Sequence, residues 1–224
     1  QYIAMFQNIG EVPPALIARR ALLAEQGTTV YGAFRARNNP SDELTECIER
    51  TADALLAPEI DAHEALKPVM LYGKIQSGKT RAFVGVMSIA FDRGTNIAGV
   101  YTKGTNALAT QTVSRMKAEF AYFKPDDNLN KQCTIVVHDV LDLGKQMLTQ
   151  YELNTQKHII VCKKESRNTG LLKELFAGST LMRQKRVIVI DDEADFGGIS
   201  FYRDPRTRDI MEGTNAKYIT ETVL

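Results

Sequence analysis

A chain of 224 residues, 44% hydrophobic and 25% charged, is long enough to bury a substantial core and to form one domain. Its 28 Lys and Arg against 27 Asp and Glu leave a formal net charge of +1, which removes any whole-chain electrostatic case for a polyanion partner and makes a nucleic-acid groove a local feature. Three scattered cysteines without a CxxC pair imply neither a disulfide framework nor a zinc ribbon, and no apolar run reaches the ~18 residues of a transmembrane helix. Reduced thiols, a cytoplasmic location and no membrane partner are therefore expected.

Residues 1–10 lack the basic start and apolar run of a signal peptide, and a start at Gln1 reads as a trimmed or partial chain. Pro13 and Pro14 open a predicted helix over Ala15–Gln26, which Gly27 stops. Asn38, Asn39 and Pro40 then separate it from a second helix capped by Ser41, with Leu44, Ile48, Leu55 and Leu56 near one face. Residues 1–64 thus read as an N-terminal helical extension.

From Pro68 the pattern becomes short apolar runs alternating with helical segments. Strands are predicted at Val69–Tyr72, Ile97–Tyr101, Thr134–His138, Ile159–Cys162 and Arg186–Ile190. Helices are predicted over Arg81–Phe91, over Thr105–Phe123, and after the later strands. Near-continuous β-branched strands alternating with helices imply a parallel sheet covered on both faces, an α/β fold spanning residues 65–224.

Two motifs sit at strand ends. Gly73-Lys-Ile-Gln-Ser-Gly-Lys-Thr80 fits G-x-x-x-x-G-K-S/T between a strand and a helix. Its glycines let the backbone wrap a phosphate, with helix N-terminal amides aimed at the anion. Lys79 would span the β- and γ-phosphates and the Thr80 hydroxyl would ligate Mg²⁺, with Gln76 and Ser77 as the crown and Arg81 near the nucleotide. The alternative is a chance match in an ordinary strand-to-helix turn.

The second motif, Asp191-Asp192-Glu193-Ala194-Asp195, follows Val187–Ile190. A buried strand delivers these carboxylates to its carboxyl edge, where open α/β sheets bind ligands. Asp192 would hold Mg²⁺ and Glu193 would orient or deprotonate the attacking water. Asp195 reads as a coupling residue. Four carboxylates so close cannot all stay ionised comfortably without a cation, which favours a metal. The alternative is a solvated acidic turn. His63, His138 and His158 lie on separate elements without ligand spacing and read as surface or core residues.

On these residues the chain resembles superfamily 2 DEAD-like helicases and translocases, over about residues 68–196. Gly73–Thr80 resembles their motif I and Asp192–Asp195 their motif II. Tyr101-Thr-Lys-Gly-Thr-Asn106 with Gln111-Thr-Val-Ser114 falls at motif Ia, and Val161-Cys-Lys-Lys-Glu-Ser166 at motif Ib. The resemblance implies a RecA-like fold, ATP and Mg²⁺ as cofactors, Glu193 and Lys79 in catalysis, and Gly73, Gln76, Ser77, Gly78, Lys79, Thr80 and Arg81 around the nucleotide. It further implies nucleic acid, DNA ahead of RNA, gripped through Lys103, Thr105, Lys163, Lys164 and Ser166. An ordinary polar strand end is the alternative for those five. The pairing of Gln76–Thr80 with Ile190–Asp195 is also similar to the Z-one-domain group, endonuclease- or helicase-like ATPases of bacterial and phage defence systems.

The chain departs from that pattern after Asp195. The family's Ser/Thr-Ala-Thr strand, which inserts between the strands of motifs I and II, has no counterpart in Phe196–Leu224, where Arg203, Arg206 and Arg208 cluster. A second RecA-like domain with its arginine finger is not in the sequence either. The expectation is a truncated first half, with hydrolysis weakened by roughly 10³–10⁵ for want of the finger. Competing readings are a P-loop ATPase switch acting on protein partners and, behind it, a phage packaging motor.

Overall fold

The computed structural model describes residues 29–56, 78–103, 105–123, 134–144, 148–192 and 201–212. They fall into two compact units, divided at Gly94. The boundary expected near residue 64, the helix expected over Ala15–Gln26 and the strand expected at Val69–Tyr72 lie outside the described residues.

Among the described residues the first unit contains three helices. Helix α1 (Val30–Asn38) begins at Thr29, whose side chain accepts from the Gly32 amide at 2.9 Å, and ends at Asn39 in the left-handed region (φ 39°). Helix α2 (Asp42–Leu55) is capped by Ser41 as the sequence suggests, with the hydroxyl accepting from Leu44 N at 3.3 Å. Its buried stripe is Thr45, Ile48, Glu49 and Ala52, at helical spacing; Leu44, Leu55 and Leu56 are half-buried. Helix α3 (Lys79–Asp92) is buried continuously from Ala82 to Phe91.

Helix α1 is not apparent in the sequence. Val30, Tyr31, Gly32 and Phe34 are poor helix formers, and contacts far along the chain hold its start. Asp92, the last residue of α3, accepts from Val30 N and Tyr31 N at 2.9 Å each, one carboxylate oxygen per amide. A carboxylate there satisfies two orphan amides and complements the helix dipole.

The second unit is α/β, built on a four-stranded, wholly parallel sheet: β1 (Ile97–Thr102), β2 (Thr134–Asp139), β3 (Gln156–Lys163) and β4 (Val187–Asp191), in the order β2-β3-β1-β4. The four strands predicted from Ile97 onward are all present. Between them run α4 (Asn106–Glu119), α5 (Val140–Leu143), α6 (Gln150–Thr155), α7 (Ser166–Gly178) and α8 (Thr180–Arg183). One sheet face contributes Ile97, Tyr101, Ile160 and Cys162 to a core with Leu143, Leu153, Leu172, Leu175 and Met182. Helix α4 packs on β1, β2 and β3. Beyond the acidic strand lies a hairpin that the sequence does not announce, β5 (Phe201–Arg203) antiparallel to β6 (Ile210–Glu212). Its turn is closed by Asp204, whose carboxylate accepts from Arg206 N at 2.7 Å and Thr207 N at 3.2 Å, with Arg208 at φ 61°. Arg206 and Arg208 are exposed.

Two of the histidines, read separately in the sequence, meet across β2 and β3. His138 Nε2 lies 3.1 Å from His158 Nδ1, and His158 Nε2 lies 3.2 Å from the Glu152 carbonyl. A carbonyl only accepts, so His158 carries its proton on Nε2 and receives the His138 Nε2–H at Nδ1. Burial pushes both pKa values down, that of His138 to about 4 with the neighbouring His158 adding to the effect. Stability is therefore expected to be level above pH ~6.5 and to fall as the pH drops from there toward 4, because the unfolded chain then binds protons the folded one refuses. Allowing for the partial exposure of His138, the loss is about 2 kcal/mol. Urea denaturation across that range should show it, and His138→Gln, which keeps a donor but does not titrate, should make the fall shallower, leaving the His158 contribution. An equal slope in both proteins would refute the assignment.

Candidate functional site

The described part of the phosphate-loop motif is its exit into α3. Gly78 is the helix cap, at φ 80°, a conformation that strains any residue with a Cβ. A glycine cap supplies no side-chain oxygen to the first-turn amides, and the first turn has no acidic residue. That leaves a helix N-terminus suited to an outside anion. Lys79 and Thr80 form the first turn, half-buried, and Arg81 is exposed. Gly73, Gln76 and Ser77 lie outside the described residues.

The acidic motif ends β4 in the second unit. Asp191 pairs with Tyr101 of β1 in the parallel register, and Asp192 N donates to Tyr101 O at 3.0 Å just past the strand. Both aspartates are half-buried; Glu193 and Asp195 lie outside the described residues. Among the described residues no group of three or more His, Cys, Asp or Glu side chains is placed to hold a metal.

The candidate phosphate-gripping segments leave the same carboxyl edge. Thr102 is in register with Lys163, and Lys164 N donates to Thr102 O at 2.9 Å. After β1, Lys103 is half-buried and Thr105 caps α4, its hydroxyl accepting from Leu108 N at 3.4 Å. After β3, Lys163 Nζ donates to Asn106 Oδ1 at 2.7 Å and pairs with Glu165, while Ser166 is exposed at the start of α7.

Lys164 is placed otherwise than the sequence suggests. Its side chain is 0% exposed, and its ammonium pairs with Asp191 and donates to the Asp192 carbonyl at 3.1 Å. A group so enclosed is not presented to a polyanion. The cation beside Asp191 is thus a lysine of the chain, where the sequence led to the expectation of a metal. Asp191 and Asn106 had no assigned partner in the sequence, and no local signal could have given them one. Their pairings exist because β1 and its two sheet neighbours carry the three segments to one edge.

No protein-family model, curated protein or solved structure matches this chain. No helix among the described residues is long and apolar enough to cross a membrane.

Proposed function

We propose that this chain is the first RecA-like P-loop domain of a superfamily 2 type ATPase, a cytoplasmic motor module that works on nucleic acid, DNA ahead of RNA, in phage defence or restriction. The observation that carries the reading is the parallel register of β1, β3 and β4, which delivers the segments resembling motifs Ia, Ib and II to one sheet edge. A glycine-capped helix opening on Lys79-Thr80 supports the nucleotide part. In this reading Gly78, Lys79 and Thr80 receive the phosphates. Asp192 would offer Mg²⁺ a hard oxygen ligand, and Glu193 would direct the attacking water. Bound Mg²⁺ neutralises charge developing on the phosphoryl oxygens.

A second reading, an ATPase switch acting on protein partners, is favoured by one specific observation. Lys163 and Lys164, two of the five candidate phosphate contacts, are engaged with Glu165 and Asp191. Measuring ATP hydrolysis with single-stranded and duplex DNA and RNA separates the two. Stimulation of about tenfold or more by a polynucleotide, lost in Glu193→Gln and weakening with salt, is the motor outcome. Hydrolysis indifferent to every polynucleotide would favour the switch, and failure to bind ATP would sink both.

A further inference from the structure

The most enclosed charged contact at the carboxyl edge is the one Lys164 makes. Strands β3 and β4 are not neighbours; β1 lies between them. With strands about 4.8 Å apart, the ends of β3 and β4 are separated by roughly 10 Å. The Lys164 side chain spans that gap over the end of β1. Its backbone is fixed to Thr102 O and the Asp192 backbone to Tyr101 O, so the ammonium closes a bridge whose two feet both rest on β1.

We infer that Lys164 is a positioning residue of the acidic motif: through the Asp191 carboxylate and the Asp192 carbonyl it fixes the direction in which Asp192 leaves β4. This inference rests on the ATPase reading above and adds a residue to it. Three observations separate this role from a polyanion contact. The side chain is wholly buried, its ammonium pairs with an acid and donates to a carbonyl of the acidic motif, and that carbonyl is the backbone of the residue assigned to Mg²⁺. A carbonyl held by an ammonium restrains the Asp192 backbone at the point where it leaves β4.

The test is Lys164→Met, Asp191→Asn and the double variant, each read in two ways. The first is hydrogen exchange at the Asp192 amide, which needs no nucleotide. The second is steady-state ATP hydrolysis with polynucleotide affinity measured across salt. Lys164→Met is expected to speed exchange at Asp192 about tenfold and to lower kcat at least tenfold. Polynucleotide affinity and its salt slope should stay unchanged. The double variant should be less impaired than the product of the two single effects, since it leaves no uncompensated carboxylate. Unchanged exchange at Asp192, together with a salt slope reduced by about one, would overturn the inference and make Lys164 a phosphate contact. A wild-type chain that hydrolyses no ATP would defeat the ATPase reading alone, because the exchange measurement still decides whether Lys164 holds the strand end. If Lys164→Met does not fold, Asp191→Asn breaks the same pair from the other side and reports on the same amide.

Discussion

Lys79→Ala is expected to lower ATP turnover by about 10²–10³-fold while leaving the protein as stable as before, or slightly more so. The rate effect follows from removing a fixed cation from the place where negative charge develops on the transferred phosphoryl group, for which losses of about that size are usual. The stability effect has the opposite sign from that of most buried-helix substitutions. Lys79 is the first residue of α3, which has no acidic residue in its first turn. A positive charge there opposes the helix dipole, typically by about 0.3–1 kcal/mol when exposed, and alanine is the best helix former. A lysine at that position costs the fold something, and in the proposed ATPase reading the bound phosphates would offset that cost. Thermal denaturation with and without Mg-ATP measures both halves. The ligand should stabilise the wild type and not the variant. Turnover within twofold of wild type, or a clear fall in stability without ligand, would remove Lys79 from the site.

Gly85→Val is expected to destabilise the first unit by about 3 kcal/mol, toward the upper end for overpacked cores. A Cβ on Gly85 would stand 2.6 Å from Ile48 Cδ1 and 2.9 Å from its Cγ2, and Ile48 is itself 0% exposed. The branched side chain of Ile48 is stiff at χ1 and cannot swing clear. Ile48→Ala alone should cost about 2–5 kcal/mol through the cavity it leaves. The pair Gly85→Ala with Ile48→Ala should cost less than the sum of its singles, because the added methyl group enters that cavity. Urea denaturation of the four proteins checks this, and strict additivity would show that the two helices do not meet at this point.

The strands and α3 were legible because their signals are local. Runs such as Ile97–Tyr101 and Val187–Ile190 are β-branched and bounded by polar residues, and the Gly78-Lys79-Thr80 step marks a helix start. Ser41 was legible as a cap for the same reason. Helix α1 was not, because what starts it besides Thr29 is the Asp92 carboxylate, and a helix whose cap lies elsewhere in the chain has no complete signature of its own. The β5–β6 hairpin escaped because each strand is only three residues long, too short for alternation to register. At the candidate site, residue types and spacing located the acidic motif and the two lysine-bearing turns. They could not say that Lys164 turns inward while its neighbour Lys163 joins Asn106 and Glu165. That division depends on strand order, and a sequence with all four strands correctly placed still leaves the order open.

The Asp92 bond to α1 also bears on the sequence of events in folding. It joins residues 61 and 62 positions apart, so it can form only after the intervening chain has closed a long loop and α3 is complete to its last residue. Nine residues of weak helical preference do not persist alone in water. Helix α1 is therefore expected to dock late onto an existing α3, and native-state hydrogen exchange should find its amides opening before those of α2 and α3.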